Sequence, residues 1–170
     1  RNLAIRHSQG DVLVFFTQDA LPHDERCIER LIEPLERDDI AASYGRQVPR
    51  ADAKPTEQFA RLFNYPERSA IKGLENVPEM GIKTFFFSNV FSAIRRHEFE
   101  KLGMFPEDIV MFEDMIYAAK LITNGYRVAY VPEAKVMHSH NYSLAEQFTR
   151  YRCAGVSFKK QPWFLQYAES

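Results

Sequence analysis

Five consecutive apolar residues, Val12-Leu13-Val14-Phe15-Phe16, run directly into Thr17-Gln18-Asp19. An unbroken apolar run of strand length suits a strand covered on both faces, as in a parallel sheet flanked by helices. In open α/β sheets, ligands collect beyond the carboxyl ends of the strands. Asp19 therefore stands where such a fold would hold a cation, although a turn or cap aspartate would read the same way. This stretch argues for an α/β fold and says which end of the sheet to search.

The rest of the chain alternates short helical and extended segments. Asn2 to Ser8 reads as a helix stopped by Gly10. Asp24 can cap a helix that buries Cys27, Ile28, Leu31, Ile32 and Leu35, with Pro34 disturbing its last turn. Ile40 to Tyr44 reads as a short strand closed by Gly45, and a polar connection follows from Arg46 to Pro55. Thr56 to Tyr65 reads as a helix with Phe59, Leu62 and Phe63 turned inward. Pro66 to Gly81 reads as a mobile loop or lid. From Thr84 the expectation is a strand, a turn at Ser88-Asn89, and a second strand or helix entry. Ser88 and Asn89 can bond a sugar, or serve their own turn. Arg95 to Leu102 is a short helix ended by Gly103.

The next signal is Glu113-Asp114, which opens an amphipathic helix from Glu113 to Thr123. Carboxylates are favoured at a helix N-terminus, where free N–H groups point outward. One held ionised at a pocket mouth can act as a general base, and one that merely caps the helix looks identical in sequence. Asn124-Gly125 turns the chain into a strand, Tyr126 to Val131, that Pro132 is expected to stop. His138 and His140 lie two residues apart on an extended segment, so both side chains face the same side and can reach one ion; surface or packing histidines share that spacing. Ser143 caps a helix carrying Gln147, Arg150 and Tyr151. Lys159 and Lys160 lie near Phe158, Trp163 and Phe164, a cluster that can touch a membrane surface or pack on the domain.

Composition narrows the function classes. The 170 residues suit one domain, and 45% hydrophobic content supplies a core. A net charge of -1 gives no basic field for nucleic acid. Two cysteines far apart in sequence form neither a disulfide framework nor a zinc motif, which fits a reducing, cytoplasmic setting. No apolar run approaches the length of a membrane span.

Taken in order, four stretches resemble the family 2 inverting glycosyltransferases of GT-A fold, and among them the bacterial rhamnosyltransferases of O-antigen and capsule synthesis. They are Arg1-Asn2 with Gly10 to Phe16, Thr17-Gln18-Asp19-Ala20, Phe112-Glu113-Asp114, and Gly125 to Pro132 with His138-Ser139-His140. The resemblance covers Arg1 to about Gly155. It implies an α/β fold with a mixed sheet flanked by helices: the central and C-terminal part of a GT-A domain over 1–155, lacking the N-terminal nucleotide-binding part, with 156–170 as a tail. Thr17 stands where the family's Asp-x-Asp motif has its first Asp, a position that commonly contacts the donor nucleoside. The implied roles are Asp114 as catalytic base with Glu113 beside it, and Asp19, helped by His138 and His140, as ligands of Mg²⁺ or Mn²⁺. Thr17, Gln18, Ser88, Asn89 and Arg150 would bind donor or acceptor. Gln147-Phe148-Thr149-Arg150-Tyr151 resembles the Gln-x-x-Arg-Trp motif of processive members with Tyr for Trp, and a solvated helix face reads the same.

The implied reaction moves a sugar, rhamnose from dTDP-rhamnose by family flavour, onto a lipid-linked glycan, with peripheral contact at the inner membrane face. Two other classes fit parts of the pattern. A metal-dependent phosphohydrolase would use Asp19, Asp114 and the histidines, and would release phosphate without an acceptor. A non-catalytic carbohydrate-binding module would bind glycans independently of nucleotide or metal.

Overall fold

The computed structural model describes residues 1–167. In chain order, α1 (Asn2–Arg6) leads to β1 (Val12–Phe16) and the two-residue β2 (Leu21–Pro22). Next come α2 (Cys27–Ile32), a 3₁₀ turn (Glu33–Glu36), β3 (Ile40–Val48), α3 (Pro55–Asn64) and β4 (Ala70–Lys72). The chain continues through α4 (Val77–Met80), β5 (Phe91–Arg95), α5 (Arg96–Lys101), α6 (Glu113–Thr123), β6 (Arg127–Met137), α7 (Leu144–Lys159) and α8 (Pro162–Leu165).

Six strands form one mixed sheet in the order β1-β5-β3-β6-β2, with β4 also paired to β6. β3 and β6 run parallel, and the other pairings are antiparallel. An aromatic core centred on Phe85, Phe99, Phe105 and Tyr117 includes Leu121 and Ile122 of α6. A smaller core gathers Cys27, Leu31 and Leu35 with Phe91, Ala129 and Val136. Burying such side chains contributes about 1.5–3 kcal/mol each.

Several expectations change. β1 has the expected bounds, but among the described residues it pairs only with β5, antiparallel, at the sheet edge. Leu13 is buried while Val12, Val14 and Phe16 stay partly exposed, so the apolar run is not covered on both faces. Ile28 and Ile32 of α2 are exposed as well, and Asp24 serves the approach to α2 by accepting from the Arg26 N–H and pairing with Arg30. Gly45 does not close β3. The strand passes through it to Val48, because a Cβ there would run into the Ala134 carbonyl and the Phe91 ring. Pro132 likewise does not stop β6. The β3–β6 register jumps from Gly45↔Val131 to Arg46↔Lys135, so Pro132, Glu133 and Ala134 form a bulge that absorbs the missing N–H.

The segment expected to be a lid contributes β4, which adds to the edge of β6, and the short α4. Thr84 to Phe87 is not a strand: a 3₁₀ turn over Gly81–Phe85 drives Phe85 and Phe87 into the core. α3 forms where expected, but with its faces reversed. Phe59, Leu62 and Phe63 are exposed, while Glu57 is buried and Arg61 half-buried. Periodicity marks two faces of a helix but not which one points inward when the inner neighbour is polar. The anticipated tail boundary at 155/156 falls within α7, and Phe164 of α8 is fully buried; residues 168–170 lie outside the described residues.

Replacing Gly45 by Ala should lower stability by about 1–3 kcal/mol through overpacking, since the Cβ meets backbone as well as a ring. A urea midpoint equal to that of the unsubstituted protein would contradict this close approach.

Candidate active site

The turn after β1 and the end of β6 build one wall of the site. Ala20 N–H bonds the Thr17 carbonyl at 3.1 Å and Thr17 N–H bonds Val90 at 3.1 Å, so Asp19 is held on a tight turn at the strand end. Arg50 donates to the Asp19 carbonyl. His138 N–H continues the ladder onto the Val48 carbonyl at 2.9 Å. Its extended backbone throws His138 and His140 to the same side, ring centroids 4.6 Å apart. Both Nε2 atoms reach Asp19 Oδ2, at 3.3 Å and 3.4 Å. The three donor atoms all lie within 4.8 Å of one another.

The electrostatics suit a cation. Burial, with the positive Arg61 beside it, pushes His138 down to about 4, so its ring is neutral and can ligate at neutral pH. Burial also works to raise the Asp19 carboxyl, but the facing histidines and hydrogen bonding at its own turn outweigh it and hold it below the usual value. Two imidazole nitrogens and one carboxylate oxygen on an open cleft fit a divalent transition ion.

The acidic pair lines the same cleft. Phe112 adopts a left-handed conformation (φ 66°), which is uncommon for a non-glycine residue, and α6 begins at the next position. Asp114 Oδ2 accepts the Asn89 N–H at 3.0 Å, and Oδ1 accepts the Met115 N–H at 2.9 Å. Burial raises the Asp114 carboxyl above the ordinary value, with those two bonds opposing the shift. Glu113 is ion-paired with Arg1. Asp19, Glu113, Asp114, His138, His140 and Arg150 line one cleft of about 500 Å³.

The remaining anticipated residues divide. Thr17 and Ser88 line the same cleft. Asn89 is buried and does not line this cleft; its amide nitrogen has no partner among the described residues, and its Oδ1 accepts from Ser92. Arg150 is exposed and lies over the Tyr142 ring at 4.6 Å. Gln18 is exposed and outside the cleft lining. The basic-aromatic cluster of the tail packs on the domain: Phe158 contacts Phe112 and Phe164, and Lys160 Nζ donates to the Asp108 carbonyl at 2.6 Å.

Sequence reasoning missed Gln47, Glu57, Arg61 and Tyr65, which also line the cleft. Gln47 fell in a supposed loop. Glu57 and Arg61 sat on what looked like the solvent face of α3. Their i, i+4 spacing was the one available signal.

The profile of Glycosyl transferase family 2 matches residues 1–103. The chain is 46% identical over 164 residues to the O-antigen chain rhamnosyltransferase RfbN of Salmonella typhimurium, covering 96% of this chain and 52% of that protein. It is 43% identical to the O-antigen chain rhamnosyltransferase WbaN of Salmonella anatum, with the same coverage. The chain thus spans about half the length of these curated relatives. Among solved structures, a mannosyltransferase from Pyrobaculum calidifontis in complex with GDP-Man and Mn²⁺ superimposes with a TM-score of 0.57 at 21% identity, over 81% of this chain and 34% of that one. At that identity the likeness is one of fold, and the fold is GT-A.

Glu57 is the clamp of the cleft wall. It pairs with Arg61 at 3.3 Å, accepts from Gln147 of α7 at 3.1 Å and meets the His140 N–H at 3.4 Å. Arg61 in turn donates to the His138 carbonyl at 3.0 Å. Glu57→Leu would leave Arg61 in a largely buried place without its counter-charge. The expected loss is on the order of 3 kcal/mol, with faster amide exchange in the first turns of α7. Unchanged melting and exchange would show that the clamp is energetically idle.

Proposed function

The chain belongs to glycosyl transferase family 2, and on that premise we propose that it carries the cation and base side of an inverting transferase. The reaction moves a sugar, rhamnose, from a nucleotide-diphosphate donor to a glycan acceptor in O-antigen synthesis. The two O-antigen rhamnosyltransferase relatives support the substrate class. The observation that carries the mechanism is that the Asp19–His138–His140 cluster and the Glu113–Asp114 pair face one cleft.

Such a transfer must solve two problems. The departing nucleoside diphosphate gains negative charge, and the acceptor hydroxyl is a weak nucleophile. Asp19, His138 and His140 would hold a divalent ion, which when bound supplies positive charge where the leaving group develops its own. Two imidazoles in the donor set favour Mn²⁺ over the harder Mg²⁺. Asp114 would take the acceptor proton, typically contributing ~10²–10⁴-fold. Its two backbone N–H bonds aim the carboxylate, while desolvation makes it more basic than an exposed aspartate. Glu113, fixed by Arg1, would orient the acceptor sugar. Thr17 and Ser88 offer polar contacts to donor or acceptor.

The acceptor in this reading is a lipid-linked glycan at the inner membrane face. No helix among the described residues is long and apolar enough to cross a membrane. Exposed Phe59, Leu62 and Phe63 on α3, whose inner face lines the cleft, support contact with a lipid surface. Equal use of a water-soluble glycan would remove the lipid from this reading.

In the full gene product, Asp114→Asn should reduce transfer by at least ~10²-fold while donor binding is kept. The raised Asp114 carboxyl must lose its proton to act, so kcat/KM should fall as pH drops through a value above 3.8, higher than for an ordinary aspartate. Turnover within a few-fold of the parent would exclude Asp114 as the base. Asp19→Ala should abolish the Mn²⁺-dependent part of nucleotide-sugar binding; calorimetry with dTDP-rhamnose, with and without Mn²⁺, reads this directly. Release of phosphate from simple esters without acceptor would instead indicate a phosphohydrolase.

A further inference from the structure

We propose that Gln47 is a positioning residue that sets the tautomer of His138 and couples the cation cluster to the loop carrying the Asp114 contact. This rests on the reading of Asp19, His138 and His140 as cation ligands.

Gln47 sits near the end of β3 and is only 2% exposed. A primary amide in that position costs free energy unless its hydrogen-bonding groups are satisfied. Here they are. The amide nitrogen donates to Ser88 Oγ at 2.9 Å and to the Tyr65 hydroxyl. Both N–H groups are thereby engaged, and the carbonyl oxygen faces His138 Nδ1 at 2.8 Å. A carbonyl oxygen only accepts, so with the Gln47 amide in this orientation Nδ1 carries the ring proton. A neutral imidazole holds one proton, which leaves Nε2 with its lone pair. That nitrogen is the one 3.3 Å from Asp19 Oδ2, on the side shared with His140. Ligating histidines generally donate their second N–H to a fixed acceptor, which sets ring orientation and basicity. Gln47 has the chemistry and placement of that acceptor.

The same amide also reaches toward the acidic pair. Ser88 Oγ also meets the Val90 N–H at 3.4 Å, which tightens the turn between them. Asn89, inside that turn, gives its backbone N–H to Asp114 Oδ2. One buried side chain therefore spans from the His138 ring to the loop that aims Asp114. Movement of the His138 ring and movement of the Asn89 N–H become linked through a single rigid group.

The alternative geometry has the Gln47 amide reversed, its N–H donating to Nδ1 and the His138 Nε2–H donating to Asp19. Long-range ¹H–¹⁵N correlation spectra of the histidine-labelled, metal-free full gene product distinguish the two. The proton is expected on Nδ1 of His138, and a protonated Nε2 overturns the proposal. Mn²⁺ affinity, followed by electron paramagnetic resonance, supplies the second readout. Gln47→Met, which keeps volume but loses the acceptor, should weaken Mn²⁺ binding by about 10–100-fold. Gln47→Glu, which keeps an acceptor toward Nδ1, should stay within a few-fold. A purely structural role would lower the melting temperature of both variants and leave their Mn²⁺ affinities alike, which also overturns the proposal. If the unsubstituted protein itself fails to bind Mn²⁺, the cation reading falls, whereas the tautomer result still judges Gln47.

Discussion

Parallel pairing of β3 with β6 is the constraint on which the cleft depends. The ladder carries Val48 alongside Met137 and, one step further, binds the His138 N–H to the Val48 carbonyl. Gln47 and His138 are thereby brought side by side from positions 91 residues apart. The bulge at Pro132, Glu133 and Ala134 allows this register. Without three extra residues on β6, the histidines would leave the sheet at another height. Gly45 makes room for the bulge, because the Ala134 carbonyl and the Phe91 ring fill the space a side chain would need.

Around that pair, several buried polar groups have their partners arranged. Gln47 is bonded at both ends, Glu57 meets three donors, and Asp114 accepts two backbone N–H groups. Satisfied networks of this kind hold side chains in one orientation, a property a chemical site needs. Other buried donors, among them the Thr17 hydroxyl, Arg46 Nε and the Asn89 amide nitrogen, have no partner among the described residues. Orphaned donors of that kind cost free energy, and they recur where a ligand completes the bonding.

Much of the site was legible because its signals are local. Asp19 follows directly from a strand, Glu113 and Asp114 open a helix with clear apolar spacing, and His138 and His140 lie two apart on extended chain. Each of these depends on backbone geometry within a few residues. What stayed hidden depends on distant neighbours. Gln47 looked like loop because Gly45 resembled a strand terminator, and only Phe91 and Ala134 explain its presence in the strand. Glu57 and Arg61 looked solvated because the apolar face of α3 is the stronger pattern, yet the inner neighbour of α3 is the polar His138–His140 segment.

By itself the sequence determined the fold class, the positions of β1 and α6, the cap of α7 and the residue types at the cleft, because apolar runs, helical periodicity and capping are short-range physics. Tertiary structure decided which way α3 faces, that β1 is an antiparallel edge strand, that β4 joins the sheet, and that Asp19 meets two histidines more than a hundred residues away. The reason is that burial and charge pairing are settled by whatever packs on the other side, and no local pattern in the chain records that neighbour.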